Sequence, residues 1–251
     1  MSQSHYIAGI HSVRTALKHG AEQITGIWYD QSRRDKRLGQ LLSMARREGV
    51  ELNPVDKSAL AKLSSDTNHQ GVVAETQVPS ALSEDALQQI LNQLSGPPLL
   101  LVLDGVQDPH NLGACLRTAD AAGVHAVIAP RDRAVGLTPV ACKVASGAAG
   151  RVPFVQVTNL ARTLGHLRED YGIWTIGTAG DADGSLYQAD LTGPLAIVMG
   201  GEEKGMRRLT REQCDILVSL PMLGVVESLN VSVATGVALF EALRQRKPGI
   251  C

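Results

Sequence analysis

Six short runs in the second part of the chain are almost entirely apolar, and helical patterns separate them. A strand with one face in water alternates apolar and polar residues, whereas a strand of a parallel sheet covered by helices on both faces is apolar throughout. The runs are residues 99–103, 124–129, 154–157, 173–176, 195–199 and 216–220, with helical patterns at 112–122, 160–171 and 231–246. Gly123 and Gly172 stand where the first two helices should end. These runs predict an α/β domain built on a parallel sheet.

The first 78 residues have a different texture. Helical patterns at 11–19, 36–48 and 57–63 alternate there with short strand patterns at 24–29 and 71–75, which predicts a small α/β domain. Pro, Ser and Gly residues then enclose one short helical pattern, at 84–94. We predict a smaller domain at 1–78, a linker at 79–98 and the larger domain at 99–251.

Charge is distributed unevenly along a nearly neutral chain. The 251 residues carry a net charge of −1, which does not by itself indicate a nucleic-acid-binding protein. Residues 1–78 hold 10 Lys and Arg against 8 Asp and Glu, while residues 79–251 hold 14 against 17. The front part contains a basic cluster of Arg33, Arg34, Lys36, Arg37, Arg46 and Arg47. A solvated helix face and an RNA-contacting patch explain this cluster equally well.

Composition argues against several classes of protein. Four widely spaced cysteines form no C-x-x-C pair, so we expect reduced thiols, with neither a disulfide framework nor a zinc site. No apolar run is long enough to cross a membrane and the first residues lack an apolar stretch, so we expect a cytoplasmic protein. Aromatic residues make up only 3% of the chain, which argues against a module that stacks unpaired bases on aromatic rings.

Ligands of parallel sheets bind beyond the carboxyl ends of the strands, and four loops there are rich in Gly or polar residues. They are residues 104–113, 177–180, 200–205 and 220–230. The first lacks a dinucleotide fingerprint, and Met206 stands where a phosphate-binding loop of the Walker type needs Lys. Ser228 lacks the surroundings of a nucleophile elbow. We expect Asn111 to cap the helix after the first strand, and Ser228 with Asn230 to cap the last helix.

Three of these loops carry motifs that resemble those of the SpoU (TrmH-like) branch of the SPOUT methyltransferases. The motifs are DPHNLGACLR at 108–117, IVMGGEEKGM at 197–206, and LPM followed by ESLNVSVA within 220–234. The front part, with YIAGIHSV from Tyr6 and HQGV from His69, resembles the family's RNA-binding domain. Two departures from the family pattern leave the target nucleotide open: Lys204 stands in motif two where relatives vary, and Glu227 precedes Ser228 in motif three.

The resemblance implies a fold, a cofactor and a reaction. The fold is a parallel-sheet methyltransferase domain with a trefoil knot, a topology that general chain statistics would reject. The reaction is transfer of a methyl group from S-adenosylmethionine to a ribose 2′-hydroxyl of RNA without a metal. The implied target is a guanosine of 23S rRNA, free or in a pre-ribosomal particle. A tRNA or other rRNA target, or a non-catalytic RNA-binding or ribosome-assembly role, is the alternative.

The resemblance also assigns residues. The residues assigned to cofactor binding are Thr178, Gly200, Leu220 and Leu229. The polar residues of the reaction site are Asn111, Arg117, Glu202, Ser228 and Asn230. Arg117 is expected to clamp a phosphate and polarise the ribose oxygen, while Glu202 and Asn111 orient it. Relatives form homodimers through the C-terminal domain, and the apolar residues of helix 231–246 offer a surface for that contact.

Overall fold

The computed structural model describes residues 3–64, 69–202 and 204–247. Contacts divide the chain into two units, Met1–Ser80 and Ala81–Cys251. The segment predicted as a linker, 79–98, contains helix α4 (Glu84–Gln93), whose Leu87 and Leu91 are buried in the core of the second unit. Most of that segment therefore belongs to the C-terminal unit. No helix among the described residues is long and apolar enough to span a membrane.

The described residues of the N-terminal unit form a four-stranded sheet with three α-helices. Its elements are β1 (Gln3–Ala8), α1 (Ile10–Gly20), β2 (Ile24–Asp30), α2 (Lys36–Arg47), β3 (Leu52–Val55), α3 (Lys57–Leu63) and β4 (Val72–Val78). The strand order is β1-β4-β2-β3, in which β4 is antiparallel to both neighbours and β2 is parallel to β3. The sequence pattern missed β1 and β3. Strand β3 lies at an edge and contains Pro54, a residue that weakens a strand pattern.

The C-terminal unit is built on a seven-stranded sheet in which every neighbouring pair is parallel. Its strands are β5 (Leu99–Asp104), β6 (Ala126–Pro130), β7 (Phe154–Val157), β8 (Trp174–Thr178), β9 (Gly184–Ser185), β10 (Leu195–Gly200) and β11 (Ile216–Ser219). Their order is β7-β6-β5-β10-β8-β11-β9. All residues of β5 and β6 are buried. The α/β prediction is confirmed.

Helices cover this sheet, and their ends follow ordinary capping rules. Besides α4 they are α5 (Pro109–Ala122), α6 (Pro139–Ala145), α7 (Leu160–Tyr171), α8 (Arg208–Glu212) and α9 (Val231–Arg246). Gly123 and Gly172 end α5 and α7 in the left-handed conformation, with φ of 73° and 61°, as predicted.

Two capping predictions need correction. Asp108 caps α5 by accepting a hydrogen bond from the backbone N–H of His110 at 2.8 Å, so Asn111 lies inside the first turn. Asn230 alone caps α9. A side chain inside the first turn no longer serves the helix end, so Asn111 is available for contacts with other loops.

The sheet order brings the ends of distant strands together. Strand β10 lies between β5 and β8, with Gly200 opposite Asp104 in the register. The loops that follow β5, β8, β10 and β11 therefore meet at one edge of the sheet, where parallel folds bind ligands. The trefoil knot stays a prediction of the family resemblance.

Candidate active site

A cavity of about 380 Å³ opens among the loops that follow β8, β10 and β11. Thr178, Gly200, Leu220 and Leu229, the four residues assigned to the cofactor, all line it, and so do Glu202 and Ser228. The volume lies within the range of roughly 300–1,000 Å³ found for small-molecule sites. The residues come from three loops that are distant in sequence, so the cavity depends on the strand order of the sheet.

Two glycines allow the loop after β10 to fold tightly against its neighbours. A Cβ atom on Gly200 would lie 2.4 Å from the backbone carbon of Gly205, and one on Gly201 would lie 2.6 Å from the carbonyl oxygen of Gly105. The N–H of Gly201 donates to the carbonyl of Asp104 at 2.9 Å. Any larger residue at either position would force the loop away from its place beside the cavity.

A buried carboxylate holds the far end of the same loop. Asp104, the last residue of β5, is 1% exposed. Its Oδ2 accepts a hydrogen bond from the backbone N–H of Arg207 at 2.7 Å, and its Oδ1 accepts one from Nε of Arg207 at 2.6 Å. Because a buried charge is costly without partners, this ion pair fixes the end of the loop. Sequence reasoning missed both residues, although an Asp directly after an apolar strand was the available signal.

Three of the predicted polar residues form a chain of hydrogen bonds beside the cavity. Asn111 is 8% exposed. Its Nδ2 donates to Oε1 of Glu202 at 2.7 Å, and its Oδ1 accepts from Nδ2 of Asn230 at 3.1 Å. Oδ1 of Asn230 accepts from the backbone N–H of Ser232 at 2.9 Å. Each amide is therefore held in one orientation, and the Glu202 carboxylate is aimed by a buried donor.

The structure does not bring Arg117 into this chain. Arg117 is exposed on α5, six residues after Asn111, which places it about 120° around the helix and about 9 Å along it. Its Nη1 donates only a long hydrogen bond, of 3.5 Å, to Oγ of Ser146. Ser228 lies at the cavity but is exposed and makes no hydrogen bond to any described residue.

A second cavity, of about 450 Å³, lies on the other side of the loop after β10. The two cavities share Glu202, Lys204 and neighbouring glycines, and the second is also lined by Gln107 and Arg133. Within the described residues, the side chains of Lys204, Gln107 and Arg133 form neither a hydrogen bond nor an ion pair. Glu202 thus lies where the two cavities meet, next to the unpaired polar groups of the second.

Comparison with known proteins identifies the family. The model of the SpoU rRNA methylase family matches residues 98–240, and the model named RNA 2′-O ribose methyltransferase substrate binding matches residues 6–81. The chain belongs to the SpoU rRNA methylase family. It is a methyltransferase of that family, so the recognition made from the three motifs is confirmed, as is the α/β methyltransferase fold apart from its knot.

Curated members of the SpoU family are similar over nearly the whole chain. The 23S rRNA (guanosine-2′-O-)-methyltransferase RlmB of Ralstonia nicotianae is 56% identical over 98% of each chain. RlmB of Shewanella oneidensis is 55% identical over 98% of this chain and 100% of that protein. The SpoU methyltransferase AviRb from Streptomyces viridochromogenes, solved with the cofactor AdoMet, is 26% identical with a TM-score of 0.72, over 97% of this chain and 90% of that chain.

The first cavity fits S-adenosylmethionine (AdoMet), the cofactor of SpoU methyltransferases. Met199, Leu220 and Leu229 give it apolar walls suited to adenine. The charged residues of the lining are the acids Asp181, Glu202 and Glu227 and the bases Lys204 and Arg211. The acids suit the sulfonium and ammonium groups of the cofactor.

The pKa values of one carboxyl and three thiols of the C-terminal unit differ from their ordinary values. At the rim of the first cavity, Arg211 donates two hydrogen bonds of 3.0 Å to Asp181 and holds the pKa of that carboxyl below its ordinary value. Burial raises the pKa of the Cys115 and Cys142 thiols to about 11 and that of Cys214 to about 12. These thiols stay protonated and unreactive at neutral pH, and Cys251 lies outside the described residues. The described residues contain no group of three or more side chains able to hold a metal ion.

Proposed function

We propose that this protein transfers the methyl group of S-adenosylmethionine to the ribose 2′-hydroxyl of a guanosine in 23S rRNA. The hydrogen-bonded chain of Asn111, Glu202 and Asn230 beside the cofactor-sized cavity carries the proposal. The RlmB relatives, similar over the full length, support the guanosine and the 23S rRNA. We place the enzyme in the cytoplasm, acting on 23S rRNA or on a pre-ribosomal particle.

The site residues align the ribose hydroxyl for an in-line displacement. The bound cofactor supplies an electrophilic methyl group. Asn111 occupies Oε1 of Glu202, so Oε2, which bonds to no described residue, is left to accept the hydrogen bond of the incoming hydroxyl. Asn230 keeps the Asn111 amide turned the correct way. Fixed acceptors of this kind lower the barrier by orientation and by stabilising the loss of the proton.

The second cavity supports a place for the target nucleotide. It adjoins the first at Glu202, so a nucleotide bound there would present its ribose to that carboxylate. Arg133 and Lys204 offer positive charge for a phosphate, and Gln107 offers an amide to a base edge. We propose that these three unpaired side chains hold the target nucleotide.

The last helix supports dimer formation. One face of α9 is buried through Ala238 and Leu239, while Val233 and Phe240 on the other face are 52% and 50% exposed. Half-exposed Val237 lies between them, one turn after Val233. An exposed apolar stripe on a helix marks an interaction surface. We propose that it joins two copies of the chain.

A dimer also gives Arg117 a role. Since this residue lies away from the cavity of its own chain, we propose that it clamps a phosphate of RNA bound at the partner's cavity. Mixed dimers of Arg117→Ala and Glu202→Gln chains test this, because each variant alone should be inactive while the mixture regains activity. No regained activity would show that each chain uses its own Arg117.

Label transfer tests the main proposal. The purified protein is incubated with methyl-labelled S-adenosylmethionine and either unmethylated 23S rRNA or unmethylated tRNA, and the label is mapped to a nucleotide. We expect label on the ribose of one guanosine of 23S rRNA and none with Glu202→Gln. Label on tRNA alone would overturn the target, and absence of label on both RNAs and on pre-ribosomal particles would overturn the activity.

A further inference from the structure

A basic groove of about 690 Å³ lies between helices α1 and α2 of the N-terminal unit. Of the described residues, no acidic side chain lines it and four cationic ones do, namely Arg14, Lys18, Lys36 and Arg47. Arg14 and Lys18 are one turn apart on α1. Lys36 and Arg47 stand at the two ends of α2, about 16 Å apart along its axis. The groove therefore presents positive charge along both of its walls.

Within the part of the chain that the structure describes, these four charges have no ion-pair partner. Arg14 donates one hydrogen bond of 3.4 Å, to Oε1 of Gln40 across the groove, and its buried Nε has no partner. Asp35, next to Lys36 in the sequence, is already occupied as the cap of α2 and by Arg33. Glu48, next to Arg47, is exposed and forms no ion pair with any described residue. A groove with unpaired charge of one sign attracts a polyanion.

The structure also divides the basic cluster seen in the sequence. Arg33 binds Asp35 through Nε, and its Nη1 donates to the carbonyl of Gln70 at 2.6 Å. Arg33 therefore holds two loops of its own unit together. Lys36 and Arg47, in contrast, point into the groove. The cluster is therefore more than a solvated helix face. Arg33 stabilises the fold, while Lys36 and Arg47 line the groove.

Gly39 is a second sign that a ligand approaches this groove. It lies inside α2, where glycine destabilises a helix relative to alanine. A Cβ at Gly39 would contact nothing within 4 Å, so packing does not require glycine. Gly39 lines the groove, and the missing side chain keeps the groove open between the charges.

We propose that the groove of Arg14, Lys18, Lys36 and Arg47 binds the sugar-phosphate backbone of the rRNA substrate. The inference rests on the proposed RNA substrate and adds the surface that holds it. Such contacts are independent of sequence, so the groove supplies affinity and leaves the choice of nucleotide to the methyltransferase unit.

Salt-dependent binding tests the groove against a matched control. One variant replaces the four groove residues by Gln, and the control replaces four exposed basic residues outside the groove, Arg34, Arg37, Lys57 and Lys62, by Gln. Affinity for unmethylated 23S rRNA is measured from 50 to 300 mM salt. Each phosphate contact contributes about 0.7–0.9 to the salt slope, so the groove variant should lose roughly 3 units of slope and bind roughly 10³-fold more weakly at 0.1 M salt. In the control, the salt slope should change by less than the amount expected for one phosphate contact.

A filling variant separates binding from folding. Gly39→Leu keeps every charge, improves the helix and blocks the groove, so we expect a higher melting temperature together with weaker RNA binding. The inference would be overturned if the fourfold groove variant and the control lost equal RNA affinity. It would also be overturned if neither the fourfold groove variant nor Gly39→Leu changed RNA binding. In that case an acidic protein surface becomes the partner to test. S-adenosylmethionine binding should be unchanged in all variants, and failure of the wild type to methylate rRNA would count against the proposed function instead.

Discussion

The N-terminal unit leaves its groove cations unpaired, whereas the C-terminal unit ties Asn111, Glu202 and Asn230 beside its first cavity into a hydrogen-bonded chain. Arg14 and Lys36 form no ion pair with any described residue, while Asn111 is buried and bonded on both sides. Unpaired cations suit a long, variable polyanion, since only charge has to match. Fixed amides and carboxylates suit a reaction, since reacting atoms need defined positions. The two units should therefore respond differently to changes of charge and of geometry.

An isosteric change at Asn111 tests this contrast most severely. Asn111→Asp keeps the shape but places a carboxylate oxygen where Nδ2 now lies, 2.7 Å from Glu202. We expect kcat to fall roughly 10²- to 10³-fold at pH 8, as it does when a preorganised donor is lost. Activity should partly return at pH 6, because paired carboxylates raise the pKa of one of them and share a proton.

Asn159→Asp is the control for that change. Asn159 is an exposed cap of α7 and accepts a hydrogen bond from the N–H of Arg162, which Asp also does. It should leave kcat and its pH profile unchanged. An Asn111→Asp enzyme with near-normal kcat at pH 8 would show that the site tolerates loss of its fixed geometry, and the contrast between the units would fail.

The next largest effect is expected on cofactor affinity, from backbone crowding at Gly200. In Gly200→Ala, a methyl group would lie 2.4 Å from the backbone of Gly205, so the loop must move. We expect S-adenosylmethionine to bind roughly 10- to 100-fold more weakly, a loss of about 1.4–2.8 kcal/mol. Calorimetry on the free enzyme measures this directly. Gly193→Ala, where a Cβ meets nothing within 4 Å, should bind the cofactor normally, and equal losses in both variants would contradict the crowding argument.

The parts that the sequence predicted and the parts that it missed differ in physical origin. Helix Val231–Arg246 and strand Phe154–Val157 were predicted with their observed bounds, because periodicity and apolar runs are local signals. The two-residue strand β9 and the short helices α6 and α8 escaped notice, since tertiary pairing stabilises elements too short for a periodic pattern.

The same distinction applies to the site. Motif resemblance named Asn111, Glu202 and Asn230, which the structure joins, but it could not reveal that Arg117 lies away from them on α5. That separation depends on helix phase and on the packing of neighbouring elements, which one sequence does not state. The ion pair of Asp104 with Arg207 joins residues 103 positions apart, so no local pattern predicts it.

The ion pair of Asp104 with Arg207 can be compared with an exposed pair by measuring the free energy of unfolding. Arg207→Ala leaves the buried Asp104 carboxylate with its backbone partner but without the guanidinium, and should cost about 2 kcal/mol of unfolding free energy. Arg208→Ala, next in the chain, removes only an exposed i,i+4 pair with Glu212 and should cost under about 0.5 kcal/mol. Urea unfolding at pH 7 compares them, and equal costs would show that the buried carboxylate does not depend on Arg207.

The smallest effect on stability is expected at α9, where Glu241 pairs with neighbouring side chains of the same helix, away from the candidate active site. Hydrogen bonds from Arg244 and then from Gln245 lower the pKa of Glu241 to about 2. A carboxyl whose pKa is lower in the folded state stabilises the fold above its unfolded pKa, near 4.5, and loses that contribution as pH falls toward 2. Glu241→Gln should therefore lower the melting temperature at pH 7 by an amount corresponding to less than about 1 kcal/mol, and the difference from wild type should shrink by pH 3. A difference that persists unchanged at pH 3 would show that packing of the side chain, and not its charge, stabilises α9. Methyl transfer at pH 7 should be unaffected.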